Sequence, residues 1–148
     1  MRAKTLFTIG YEKATPDALV SSLVNAGVRT LIDVRAVAAS RRAGFAKRAL
    51  AERLEREGIT YLHLRDLGTP KAGRDAAKAG DTPTMRRIFD AHMEKPEAQA
   101  ALGDAIRVAS DSTACLLCLE RDHNACHRAI VSALMAERAG FKVEPLLP

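Results

Sequence analysis

The chain is 148 residues long, 47% hydrophobic and 28% charged, with a formal net charge of +5. At this length about 70% of the unfolded surface is buried on folding, so residues 1–148 are expected to form a single domain without metal or disulfide support. No segment reaches the ~18 uninterrupted apolar residues of a membrane span, the apolar part of the N-terminus is too short for a signal peptide, and three cysteines do not make the framework of a small secreted protein. The expectation is a cytoplasmic protein with reduced thiols, no membrane partner and a basic balance suited to anions.

The run Thr5–Gly10 (TLFTIG) is a first strand stopped by glycine. Thr15, Pro16 and Asp17 then supply an N-cap, a first-turn proline and an acid near the positive end of the helix dipole. Leu19, Val20, Leu23 and Val24 form the apolar face of that helix, and Gly27 stops it. Residues 28–34 (VRTLIDV) are a buried strand, and a basic loop leads from it to a helix over residues 48–57 with Leu50 and Leu54 inward. Residues 59–64 (ITYLHL) are the third strand. From residue 65 to 80, glycine, alanine and charge replace periodicity, which predicts a long surface connection and a candidate lid. Thr82 and Pro83 open a helix carrying Met85, Ile88 and Phe89, and Pro96 interrupts or restarts it before Ala98, Leu102 and Ile106. Residues 113–120 (TACLLCLE) are a fourth strand. Asn124 is the expected cap of a helix presenting Ile130, Val131, Leu134 and Met135, Gly140 closes it, and residues 141–147 (FKVEPLL) are a fifth strand.

Strands alternating with helices imply an α/β fold: one open, mostly parallel sheet of about five strands with helices on both faces. Ligands of such sheets bind beyond the carboxyl ends of the strands. Polar residues that form a site should therefore gather there, and they do. Tyr11 and Glu12 follow the first strand, Asp33 and Arg35 end the second, His63 ends the third, and Glu120, Arg121, Asp122, Cys126, His127 and Arg128 follow the fourth. The opposite end carries mostly turn sequences such as AGV, EGI and AGF, with little reactive content.

Each candidate has a bland alternative. Cys115 and Cys118 form a CxxC, but side chains three apart on a strand face opposite ways, so Cys115 reads as a small buried hydrophobe and Cys118 as core or site. Cys126, placed in the first helical turn by an Asn124 cap, is open to activation as a thiolate. His127 is a candidate base, although adjacent helical residues project about 100° apart; a structural cap is the competing role. Zinc would draw on Cys118, Cys126, His127 and His123, in a spacing that matches no familiar zinc pattern. Residues 35–48 hold five basic side chains and no acid, so Arg35, Arg41 and Arg42 form a candidate phosphate grip, with Phe45 to stack a base, or else a solvated loop. Glu12 and Asp33 would be paired carboxylates if the first two strands are neighbours.

With TIGYE, DVR, SRRAGF, YLHLRDLG and LLCLERDHNACHR in this order, the chain resembles the prokaryotic family designated domain of unknown function 488, from Thr8 to about Glu137. The resemblance implies a small α/β domain whose shared residues correspond here to Gly10, Tyr11, Glu12, Asp33, Arg35, Arg41, Arg42, Phe45, His63, Leu67, Gly68, Cys118, Glu120, Cys126, His127 and Arg128. It implies no reaction. The family has glycine where Lys13 stands, proline where Ala43 stands and a second glycine where Thr69 stands.

The expected function is binding of an anionic ligand, a nucleotide or nucleic acid, at the carboxyl-end rim. Arg35, Arg41, Arg42 and Arg128 would grip it, with Tyr11, Phe45, His63 and Cys118 nearby. Any catalysis would use Cys126, His127, Glu12, Asp33 or Glu120; no cofactor is specified. A non-catalytic nucleic-acid-binding or regulatory module is one alternative. A metal-dependent hydrolase, with Asp33, Glu12 and His63 or His127 around the ion, is another.

Overall fold

The computed structural model describes residues 4–38, 40, 42–120 and 126–148. Five strands, β1 (Thr5–Gly10), β2 (Thr30–Asp33), β3 (Thr60–His63), β4 (Ala114–Cys118) and β5 (Lys142–Leu146), form one all-parallel open sheet in the order β3-β2-β4-β1-β5. The helices among the described residues are α1 (Pro16–Asn25), α2 (Lys47–Arg56), α3 (Lys71–Lys78), α4 (Thr82–Met93), α5 (Pro96–Asp111) and α6 (His127–Ala139). The expected α/β architecture is the observed one, and β2 to β5 are shorter than the apolar runs that announced them. No helix among the described residues is long and apolar enough to cross a membrane.

The two-residue period of the strands divides the interior into two cores. Leu6, Ile32, Leu116 and Cys118 face α4, α5 and α6 through Phe89, Leu102, Val131 and Met135. Ile9, Leu31, Cys115 and Leu117 face α1 and α2 through Leu19, Leu23, Leu50 and Leu54. A central strand covered on both sides is apolar throughout, as the ACLLC of β4 shows. Each fully buried Leu, Ile or Phe contributes about 1.5–3 kcal/mol, so the helices are held chiefly by these faces. Thr15 caps α1 by accepting from the Ala18 amide at 3.1 Å. Helix α4 opens at Thr82 as expected, and Asp81 caps it by accepting from the Thr84 amide at 3.2 Å. Pro96 stands in the first turn of α5, where its missing N–H costs nothing, and so restarts the chain as a separate helix.

Two expectations are corrected. Residues 65–80 are not a loop: a 3₁₀ turn over Arg65–Leu67 leads into α3. This helix turns the small residues Ala76 and Ala77 toward the α4 side, and Gly73 lies where an added Cβ would come within 2.4 Å of the Thr69 methyl and 3.3 Å of Ile88. The helix is amphipathic, but its inner face is marked by alanine and glycine and not by large apolar side chains, which is why the pattern looked like a connection. Nor are β1 and β2 neighbours, because β4 lies between them; Glu12 and Asp33 therefore do not pair.

Gly68 fixes the start of the α3 arm. A Cβ there would lie 2.2 Å from the Ala36 nitrogen and 2.3 Å from its Cα, so only glycine lets the arm approach the chain just beyond β2. Lys13 shows the opposite mismatch, with φ of 64° in the left-handed region, where an L side chain costs about 1–2 kcal/mol. Lys13→Gly is expected to raise stability by about 0.5–1 kcal/mol, the strain released less the freedom glycine adds to the unfolded chain. The check is a higher urea midpoint at unchanged m-value.

Candidate functional site

The connections leaving β1 and β4 run to opposite faces of the sheet, α1 into the Leu19 core and α6 into the Val131 core. Neighbouring strands whose connections diverge in this way leave a crevice beyond their carboxyl ends. The main chain keeps the two exits together: the Tyr11 amide donates to the Cys118 carbonyl at 3.2 Å and the Glu12 amide to the Leu119 carbonyl at 2.7 Å. The crevice opens into a cavity of about 460 Å³, within the range of small-molecule sites. Tyr11 and Glu12 line it from β1, Arg35, Ala36 and Val37 from β2, and Cys118, Leu119 and Glu120 from β4. His127 closes it from α6, and Thr69, Arg74, Ala77, Lys78 and Met85 from the α3 and α4 side.

Behind Tyr11 and Arg35 lies a buried ionic network. Asp33, fully buried, accepts from the Arg35 amide at 3.0 Å, from Nε at 2.9 Å and from Nη2 at 2.7 Å, and Tyr61 donates its hydroxyl to the same carboxylate. Arg35 Nη1 continues to the Phe45 carbonyl at 2.8 Å and the Tyr11 hydroxyl at 3.3 Å. Burial works against the Arg35 charge, but the bonds and attraction to Asp33 outweigh it and hold the guanidinium above its ordinary pKa. Tyr11 stacks on Phe45 with ring centroids 4.6 Å apart. Arg42 lies over Phe45 at 4.7 Å and donates from Nη1 to the Tyr11 carbonyl at 2.8 Å and from Nη2 to the Ala14 carbonyl. His63 Nε2 is 2.7 Å from the Arg35 carbonyl.

Several candidates thus have internal roles. Asp33, Arg42, Phe45 and His63 do not line the cavity. Phe45 is 1% exposed, so its ring is not presented to a base. Arg41, like Arg121, Asp122, His123 and Asn124, lies outside the described residues. Arg35 does reach the cavity, with most of its donors already engaged.

The cluster at the β4–α6 junction is denser than its sequence announced. Cys118 ends β4, Cys126 is itself the N-cap of α6, and their sulfurs are joined as a disulfide. The expectation of reduced thiols is corrected for this pair: both residues end elements that meet in one core, with their Cα atoms 7.4 Å apart, wider than most disulfides span. Cys115, on the other side of β4, is a free buried thiol whose pKa burial pushes up. Cys126 has extended backbone (φ −118°, ψ 147°), so the 100° separation of adjacent helical residues does not apply, and its Sγ lies 3.8 Å from His127 Nδ1. His127 Nε2 is 2.8 Å from the Val34 carbonyl. That nitrogen must donate, which leaves the lone pair on Nδ1, facing the sulfur. Burial, partly offset by the Val34 bond and reinforced by Arg128, lowers the imidazole pKa to about 4, so His127 is neutral near pH 7.

Arg128 is fully buried, donates from Nη1 to the Glu120 carbonyl, and brings that nitrogen to 3.6 Å from Cys118 Sγ. It is an organiser of the sulfur cluster and not a cavity-facing grip. Glu120 Oε2 lies 3.2 Å from Cys118 Sγ. Burial raises the Glu120 pKa against the opposing effects of a backbone bond and of Arg128. The ligand atoms of Cys118, Cys126 and His127 lie within 4.8 Å of one another, a soft donor set of the kind zinc takes only when both cysteines are reduced to thiolates. Asp33, Glu12 and His63 do not assemble as an oxygen-rich hydrolytic site.

The cations that sequence reasoning missed are Arg74 and Lys78. They stand one turn apart on α3 and both line the cavity. The signal was present in KAGRDAAK, where Lys71 and Asp75 form an i,i+4 ion pair at 3.0 Å that only a helix permits.

The chain belongs to the family described as "Domain of unknown function DUF488", whose model matches residues 15–135. No curated protein and no solved structure matches it.

Proposed function

We propose that this member of the DUF488 family is a cytoplasmic protein that binds a small anionic molecule, of about nucleotide size, in the rim cavity and acts on it through cysteine chemistry. The observation that carries the reading is the convergence of Arg74 and Lys78 with Cys118, Glu120 and His127 on one cavity. Arg74 donates from Nη1 to the Thr69 carbonyl at 2.8 Å, which orients the guanidinium and leaves its other N–H groups for an anion. Lys78 adds a second positive charge one turn further on. Glu12 and Glu120 stand across the cavity as acceptors for hydroxyl or amino groups of the same ligand. The sulfurs lie at the inner wall, next to a histidine whose Nδ1 accepts protons.

The test is calorimetric titration with inorganic pyrophosphate and adenosine monophosphate. Lys78→Ala combined with Arg74→Ala is expected to weaken binding by about tenfold or more, the loss of two charge-assisted contacts, while the unfolding free energy changes little. Equal affinities for wild type and double variant would remove α3 from the binding site.

A further inference from the structure

We infer that the Cys118–Cys126 bond is the working group of this site: a reversible disulfide that exchanges with a small anionic thiol seated in the rim cavity. The inference deepens the proposed reading and depends on it for the charge of the substrate. In a reducing compartment a disulfide is typically transient, catalytic or sensing, and three features of this one suit exchange. Both cysteines are buried, Cys118 1% and Cys126 2% exposed, but only Cys118 lines the cavity, so an incoming thiolate approaches from the Cys118 side. The sulfur set back from the cavity is the better leaving group, because Cys126 is the N-cap of a 13-residue helix, where unpaired amides and the helix dipole favour a thiolate. Proton acceptors flank both sulfurs, His127 Nδ1 at 3.8 Å from Cys126 and Glu120 Oε2 at 3.2 Å from Cys118.

The exchange balances without another reagent. A substrate thiol gives up its proton to solvent and, as RS⁻, attacks Cys118 Sγ; the R–S–Sγ bond forms, the bond between the two cysteines breaks, and its electron pair leaves on Cys126, whose thiolate takes a proton from solvent, since His127 Nδ1 carries only a lone pair. A second substrate thiol, deprotonated in the same way, attacks the substrate sulfur of the mixed disulfide, releasing RSSR and the Cys118 thiolate; the two protons lost by the substrate thiols balance the two taken up by the cysteines. Two substrate thiols are oxidised to one disulfide, the protein is reduced to two thiols, and RSSR reverses the sequence. Cys115, buried on the opposite face of β4, takes no part.

The experiment equilibrates the full-length protein with mixtures of mercaptopropionate and its disulfide, and in parallel with cysteamine and its disulfide, two thiols of similar size and opposite charge. Alkylation and intact mass then report thiols and adducts. Wild type is expected to gain two alkylatable thiols as the thiol-to-disulfide ratio of the mixture is raised. Oxidised mercaptopropionate should trap Cys118 in Cys126→Ser at least tenfold faster than it traps Cys126 in Cys118→Ser. Its advantage over oxidised cysteamine should shrink in Arg74→Ala/Lys78→Ala. A constant thiol count at every ratio, or one equivalent of zinc holding both sulfurs as thiolates in the purified wild type, would overturn the proposal, whether or not the single-cysteine variants fold. Retained pyrophosphate binding without exchange would sink the disulfide inference and leave the anion site standing. Equal rates with both thiols would sink the anionic-substrate assignment and leave the disulfide inference standing.

Discussion

Asp33→Asn should lower the unfolding free energy by about 3–5 kcal/mol, the loss seen when one partner of a buried ion pair is removed and the other is left uncompensated. Asp33 is 0% exposed and Arg35 6%, and their contacts of 2.7–3.1 Å are made from three guanidinium and backbone nitrogens. The amide cannot accept from all of these and from the Tyr61 hydroxyl while carrying no charge. The effect should reach the cavity too, since Arg35 holds the Tyr11 hydroxyl and the Phe45 carbonyl. Urea unfolding gives the number. Asp33→Leu combined with Arg35→Met should recover part of it, because the desolvation penalty is removed together with the attraction. A single-variant loss below about 1 kcal/mol would mean that water reaches this pair in the folded protein.

Acid sensitivity is the second large effect. The His127 pKa is about 4 in the folded protein and about 6.5 in an unfolded chain. Between these values the unfolded chain binds the extra proton, so unfolding is favoured as pH falls. The stability attributable to a neutral His127 is fully present above pH ~6.5 and is lost progressively down to pH ~4, a total of roughly 3 kcal/mol. His127→Asn, which does not titrate, should be less stable near pH 7 through the altered bond to Val34 and should show a correspondingly flatter stability profile across that window. Parallel profiles for the two proteins would show that the imidazole reaches solvent when protonated.

Periodicity and turn residues made most of the fold legible in the sequence. Strand-helix alternation, the Thr15 cap and the Gly140 stop all describe the observed elements, and the rule that ligands sit beyond parallel strands located the crevice. Three things were hidden for identifiable reasons. Strand order is a property of contacts between distant segments, so the insertion of β4 between β1 and β2 had no local signal. The roles of the arginines were inverted because a charged side chain on a rim looks the same whether it faces solvent or a carboxylate two residues away: Arg35 turned inward to Asp33 and Arg42 to the carbonyls of Tyr11 and Ala14. The sequence brought Cys118 and Cys126 together only as zinc ligands with His123 and His127, in a spacing that fits no zinc pattern, and gave no sign that the two sulfurs touch. Only the meeting of β4 with the start of α6 joins them.

Gly68 gives the α3 arm a pivot without slack. With no room for even a methyl group between it and Ala36, the arm cannot slide at its base, and whatever an anion does to Arg74 and Lys78 is delivered as leverage on the chain next to Arg35. Under the proposed reading, a ligand held by Arg74 and Lys78 would press on the chain next to Arg35 through this close approach. A ligand that clamps the arm should slow amide exchange at the end of β2, well away from anything it touches.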